Sequence, residues 1–134
     1  MNLSKLIRLC KEFFFVLKLY QNPFAYIFER AGLNSDKKII LKMKTGLNYK
    51  INTNTSDIRV LNEIWHFKTY DRFLDSVKND SVVIDIGAQI GVFSVKAAAQ
   101  AQNVKVFSYE PMPVNFQMLQ KNIVLNKMKN SIIA

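Results

Sequence analysis

Val82-Val83-Ile84-Asp85-Ile86-Gly87-Ala88-Gln89-Ile90-Gly91 is the stretch that decides the fold. An apolar β-branched run ends in a carboxylate and a glycine, and the segment that follows, with Ala97, Ala98 and Ala99, has helical character. A second β-branched run, Val104-Lys105-Val106-Phe107-Ser108-Tyr109, leads into Glu110-Pro111. Strand, glycine turn, helix, strand and terminal carboxylate together read as the nucleotide-holding half of a Rossmann-like α/β sheet. Working outward, the pattern predicts strand 82–86, helix 91–101, strand 104–109, helix 113–126, and a third strand beginning at Ser131-Ile132-Ile133-Ala134. Strands alternating with helices imply a parallel sheet with right-handed crossovers. The uninterrupted Val82-Val83-Ile84 predicts a strand buried on both faces.

Upstream, the periodicity changes. Leu3, Leu6, Ile7, Cys10, Phe13, Phe14 and Leu17 recur at helical spacing, so 3–20 reads as an amphipathic helix, with Phe15, Val16 and Leu19 widening its apolar face. Asn22-Pro23 restarts a helix, Asn22 acting as cap and Pro23 as first residue, which ends at Gly32. Lys38–Lys44 and Leu47–Asn52 flank Thr45-Gly46 and predict a hairpin with a two-residue turn. A helix over about 57–66 follows, with Ile58, Leu61, Ile64 and Trp65 inward, and then a short helix within 70–79. Three regions result: an N-terminal helical segment 1–37, a hairpin and helical segment 38–80, and a partial Rossmann-like domain 81–134.

The 134 residues carry a net charge of +9, unevenly spread. Residues 1–50 hold ten Lys/Arg against three Asp/Glu, and residues 51–134 hold nine against seven. A basic N-terminal third suits phosphate, an anionic membrane surface or an acidic partner, and equally an ordinary solvated face. Peripheral membrane contact through 3–20 is one expectation. Charges at Lys5, Arg8, Lys11, Glu12 and Lys18 interrupt that segment, which excludes a secretory signal or a membrane span within it. The single cysteine, Cys10, forms no internal disulfide and has no metal-site spacing, so a reducing, cytoplasmic setting and no metal are expected.

The chemistry gathers where strands meet loops. Gly87 permits a tight turn and admits a ligand where a Cβ would clash. A helix opening near Gly91 offers free N–H groups to a carboxylate or phosphate. Asp85 is placed to accept from an ammonium or to order the loop, and Glu110 to accept from both hydroxyls of a ribose. A dinucleotide fingerprint anchored at Gly87 needs glycines where Gln89 and Val92 stand, and no Gly-Lys-Ser/Thr is present. These departures disfavour a nicotinamide-dependent oxidoreductase. They leave a ribose-bearing ligand with a small charged end, a description that S-adenosylmethionine suits.

Asp85-Ile86-Gly87-Ala88-Gln89-Ile90-Gly91-x-Phe93-Ser94, with Tyr109-Glu110-Pro111-x-Pro113-x-Asn115-Phe116-x-x-Leu119-x-x-Asn122-x-x-x-Asn126, resembles the FkbM family of S-adenosylmethionine-dependent methyltransferases. Gly46-Leu47, Ser56-Asp57, Leu61-x-Glu63-Ile64-Trp65 and Tyr70 extend the resemblance over about 38–134. The resemblance implies a class I methyltransferase fold and methylation of a hydroxyl on a sugar or natural product. The acceptor would then be a small molecule or glycan, with no nucleic acid. It also implies that Asp85, Gly87, Ala88, Gln89 and Gly91 line the methionine end of the cofactor. Glu110 would hold the ribose, and Pro111 and Met112 would border the adenine. Gln89 departs from the asparagine usual in that family. Asn115, Asn122 and Asn126 match it, and their expected work is capping and turn stabilisation.

A complete sheet of this kind has more strands than the three or so legible here. The expectation is therefore an incomplete fold: the cofactor-binding portion of a methyltransferase, inactive alone, with the catalytic residues expected beyond 134. Glu63 and Tyr70 would border the active site on the resemblance alone. His66, the single histidine, reads as a packed or surface residue, and Cys10 as packed. A second reading from another class is a non-catalytic module that binds a membrane surface or partner through the basic N-terminal helix.

Overall fold

The computed structural model describes residues 12–134, so the expectations placed on 1–11 lie outside it. The chain forms helix α1 (12–19), α2 (Pro23–Arg30), strands β1 (Lys38–Lys42) and β2 (Asn48–Asn52), α3 (Asp57–Trp65) and α4 (Asp71–Leu74). The alternating unit then follows: β3 (Val82–Ile86), α5 (Val92–Ala98), β4 (Lys105–Tyr109), α6 (Pro113–Leu125) and β5 (Ile132–Ile133).

Within the described part of α1 the buried residue is Val16, joined by Tyr20 just past the helix, while Phe13 and Phe14, expected inward from spacing, are exposed. The reason is tertiary. The chain leaves α1 as an extended segment whose Tyr20 bridges Met43, and Lys44 donates to the Leu19 carbonyl (2.9 Å), which turns the Val16–Tyr20 side toward the hairpin. Tyr20 then stacks on Tyr26 of α2 with ring centroids 4.9 Å apart. Asn22 makes no cap with its side chain. Its amide accepts from Lys42 N–H and donates to the Ile40 carbonyl (both 2.8 Å), acting as one more rung on the free edge of β1. Pro23 takes the first helical position as expected. At the other end Gly32, at φ +68°, lets its own N–H reach the Glu29 carbonyl and that of Leu33 reach the Phe28 carbonyl, closing the helix.

β1 and β2 pair antiparallel from Lys38↔Asn52 to Lys42↔Asn48, so the connection is longer than the two-residue turn predicted from Thr45-Gly46. Met43 N–H to Leu47 O (2.8 Å) and Gly46 N–H to Met43 O (3.0 Å) close it, with Gly46 at φ +93°. Leu41, Met43, Tyr49 and Ile51 are fully buried on one hairpin face, against which α3 lays Ile58, Leu61 and Ile64.

β3, β4 and β5 form a parallel sheet in that order, registered Val82↔Lys105 through Ile86↔Tyr109 and Val106↔Ile132. Because the sheet grows in one direction, right-handed crossovers put α5 and α6 on the same face. Val83, Val106 and Ile132 are buried beneath them. Among the described residues nothing covers the other face: Val82 and Ile84 are each 65% exposed, which corrects the expectation of a strand buried on both sides. Gly91 is what lets α5 and α6 close together, since a Cβ built on it would lie 2.4 Å from Leu119 Cδ1.

Candidate cofactor and acceptor site

The loop from Gly87 to Gly91 leaves β3 through three left-handed residues, Gly87 (φ +82°), Gln89 (φ +49°) and Gly91 (φ +83°). Gly87 and Ala88 N–H both donate to the Tyr109 carbonyl at the end of β4 (2.8 and 3.0 Å), and Gly91 N–H donates to Ala88 O (2.8 Å). The first loop amides are therefore spent on holding the loop to β4, and the helix that opens after Gly91, where free N–H groups were expected, begins at Val92. A Cβ on Gly87 meets no atom within 4 Å. That open space is where a ligand can approach the backbone.

Glu110, just past β4, accepts from Gln89 N–H with one oxygen (2.8 Å) and from Met112 N–H with the other (2.9 Å). The carboxylate is thus aimed by two backbone groups. An ionised carboxylate accepts about four bonds, so lone pairs remain for two hydroxyls. Pro111 and Met112 follow at once, Met112 being more than half exposed. Asp85 is held from the opposite direction: buried Ser94 on α5 donates to its Oδ2 and is itself bonded to Ser108 of β4 (2.8 Å between the hydroxyls). Burial pushes the Asp85 carboxyl up from its ordinary range. The Ser94 hydroxyl pulls it back, and the nearby Glu110 charge raises it again. A cation placed beside Asp85 would relieve that cost.

A cavity of about 360 Å³ opens over this loop, lined by Ile84 through Gln89 on one side and by Val60, Glu63, Ile64, Tyr70, Phe73 and Phe93 on the other. Its aromatic wall is continuous: Tyr70 and Phe73 both pack on Phe93, with centroids 5.4 and 5.8 Å away. Glu63 and Tyr70, expected near the site, are brought to it, and the Tyr70 hydroxyl points at Glu63 Oε1 (3.5 Å). Burial foremost, then the Glu63 charge, raises the Tyr70 hydroxyl above its usual range. The wall is fixed to α5 by Lys96, which donates to Asp71 (2.8 Å) and the Ile64 carbonyl (3.1 Å) and lies over the Trp65 ring.

Asn122 and Asn126 do more than cap. From successive turns of α6 their amides each bond both N–H and C=O of an edge residue of β2: Asn122 with Lys50 (2.7 and 3.1 Å), Asn126 with Asn48 (2.8 and 2.7 Å). Asn122 also donates to the Ile90 carbonyl (2.8 Å), which ties hairpin and glycine loop together. Sequence reasoning missed this, and missed the Ser94–Ser108 pair. The available signal was a serine in phase with the inward Val106 of β4. His66 caps α3 half-buried between the rings of Phe15 and Phe67. Among the described residues no cluster of His, Cys, Asp and Glu is placed to hold a metal ion, and no helix is long and apolar enough to cross a membrane.

A parallel sheet whose carboxylates stand at successive strand ends beside an open glycine loop is a Rossmann-like arrangement, and similarity to known proteins makes it the fold of class I methyltransferases. Residues 42–134 match the TRM5/TYW2 methyltransferase domain, and the chain belongs to that family. Among solved structures it is similar to M. jannaschii TYW2 in complex with AdoMet (26% identity, TM-score 0.55, 75% of this chain and 43% of that one). It also shares its fold with aTrm5 in complex with tRNALeu (24% identity, TM-score 0.57, 75% of this chain and 28% of that one). Methyltransferase sdnD of Sordaria araneosa is 28% identical over 75 residues, 56% of this chain and 28% of that protein. The 31-O-demethyl-FK506 methyltransferase FkbM of Streptomyces tacrolimicus is 33% identical over 70 residues, 52% of this chain and 27% of that protein. The chain thus spans little more than a quarter of the length of either curated relative. The family match and the tRNA-bound fold neighbour overturn the expectation of a small-molecule or glycan acceptor with no nucleic acid. The motif reasoning erred because the quoted residues surround the cofactor loop, and a shared cofactor says little about the acceptor.

Proposed function

We propose that the Gly87–Gly91 loop, Asp85 and Glu110 hold S-adenosylmethionine, and that the methyl acceptor is RNA. The observation that carries the cofactor assignment is the open space over left-handed Gly87, bracketed by the half-buried Asp85 and by a Glu110 aimed by two backbone amides. Asp85 would take the ammonium, Glu110 the ribose hydroxyls, and Pro111 with Met112 one edge of the adenine. The resemblance to FkbM bears on these same residues, as kinship in the cofactor half. S-Adenosylmethionine, when bound there, would supply an electrophilic sulfonium methyl group for in-line attack by an acceptor lone pair, with S-adenosylhomocysteine as the leaving group. The part of this chain is positioning, with the aromatic wall of Tyr70, Phe73 and Phe93 keeping water from the reacting centre.

The RNA reading is supported by the family match, by the tRNA-bound fold neighbour, and by a net charge of +9 with an isoelectric point near 9.7. Incubation with methyl-tritiated S-adenosylmethionine and a mixed RNA pool tests it. Acid-precipitable label released by ribonuclease is expected. Label that passes instead to small hydroxyl compounds overturns the acceptor while sparing the cofactor assignment.

A further inference from the structure

Beside the cofactor cavity lies a second one of about 600 Å³, a volume typical of ligand sites. The two share Val60, Glu63 and Gln89, so they meet at the left-handed turn of the glycine loop. Their charged linings differ. Asp85 lines the inner cavity alone; Arg30 at the end of α2, Arg59 on α3 and His66 line the outer one alone. Glu12 and Glu63 also face the outer cavity, yet neither pairs with a guanidinium: among the described residues both ion pairs converge on Asp71 instead. Asn62, 8% exposed, lines the same cavity, and its Oδ1 accepts from the Tyr26 hydroxyl (2.9 Å), which leaves its N–H groups as donors. Phe67 stands on the rim with 70% of its surface in solvent.

Two guanidinium groups with no ion pair among the described residues, an oriented amide donor and an exposed aromatic ring are the groups that recognise a nucleotide in a single strand: forked donors for the phosphate and a flat face for a base. We infer that the outer cavity binds a phosphate of the acceptor strand through Arg30 and Arg59, with Phe67 stacking on an adjacent base. The strand would thereby present its reacting nucleotide to the inner cavity across Gln89. This rests on the RNA reading above and names the residues that would select such an acceptor. Arg30 and Arg59 are positioning residues, since they face the strand and not the methyl group.

The test uses the full chain with saturating S-adenosylhomocysteine and a fluorescein-labelled single-stranded RNA hexamer, read by anisotropy across a salt series. Arg30→Ala and Arg59→Ala are each expected to weaken the hexamer about tenfold and to reduce the salt slope by about 0.7, the change for one lost phosphate contact. Arg59→Lys should fall between, because the charge remains and the fork is lost. Affinity for S-adenosylhomocysteine should stay within about twofold, a control a merely structural role would fail. Phe67→Ala should weaken the hexamer with no change in salt slope. The inference is overturned if Arg30→Ala and Arg59→Ala do no more than Lys121→Ala, an exposed lysine of α6 outside this cavity, or if cofactor affinity falls in step with RNA affinity. Should Arg59→Ala fail to fold, Arg59→Lys with an unchanged salt slope at wild-type affinity overturns it as well. A wild-type chain that ignores the hexamer yet binds inorganic phosphate, with that binding lost in Arg59→Ala, supports the anion site and sinks the RNA reading.

Discussion

At Gly91 a methyl group has nowhere to go: its Cβ would press on Leu119, itself fully buried, and the backbone sits at φ +83°. Gly87 has the same left-handed backbone with open space beyond it. The two glycines should therefore fail differently. Gly91→Ala is expected to cost about 3 kcal/mol of stability, from strain and overpacking together. Gly87→Ala should cost only about 1 kcal/mol but place a methyl in the ligand space. Chemical denaturation paired with S-adenosylhomocysteine titration checks this; a Gly87→Ala chain with wild-type affinity would remove that loop from the site. Gln89 is the misfit between them, a long side chain at φ +49° where glycine or asparagine is at ease. Gln89→Gly or Gln89→Asn should raise stability by about 0.5–1 kcal/mol, seen as a higher denaturation midpoint. Asp85 offers a pH signature. Its folded pKa lies above the ordinary value, so ionising it costs stability, and that cost appears as pH rises through the raised range. Asp85→Asn should thus be as stable as the parent or more so at neutral pH, yet bind S-adenosylhomocysteine more weakly. In the parent, affinity should fall on acidification as the carboxylate protonates.

The element that joins the two halves is α6, through its asparagines. Asn122 satisfies Lys50 N–H, Lys50 C=O and Ile90 C=O from a fully buried position, so Asn122→Ala leaves three backbone groups without partners. A loss of about 3 kcal/mol is expected, with faster amide exchange in both β2 and the glycine loop as the distinguishing readout. Exchange that quickens in β2 alone would contradict the coupling. Asp71 ties α4 to α5 through Lys96. Burial works to raise its pKa, but the Lys96 bond and charge prevail and lower it, so the stabilisation is present at neutral pH and fades as pH falls through the folded pKa. Asp71→Asn should remove about 1 kcal/mol at neutral pH and nothing at low pH. The strands and helices themselves were legible in sequence, since β3, β4, α3 and α6 begin and end within a few residues of where period and punctuation put them. What was not legible is side-chain mimicry of a strand. Nothing in the spacing of Asn122 and Asn126 says that they will face a β edge rather than cap a turn, because β2 lies more than 70 residues away.

Over the whole molecule, the sheet presents one face to α5 and α6 and leaves Val82, Ile84, Ile86 and Tyr109 exposed on the other. The sequence pattern could not tell these cases apart, for a β-branched run looks the same whether one face or both are covered. The cofactor half of the site was legible because its chemistry lies in one contiguous βαβ unit, where Asp85, Gly87 and Glu110 follow one another at strand ends. The outer cavity was not, because Arg30, Arg59 and Phe67 come from separate elements that only packing brings together. The charge of +9 was visible from the start; that two of its guanidiniums line a cavity opening on the cofactor loop needed the fold. All of this depends on the cofactor claim, and isothermal titration with S-adenosylhomocysteine tests it most directly. The account predicts saturable one-to-one heat with the folded chain and a loss of affinity of at least about tenfold in Glu110→Ala, which removes two hydroxyl contacts to a charged acceptor. No heat from a folded chain, or undiminished binding in Glu110→Ala, would contradict it.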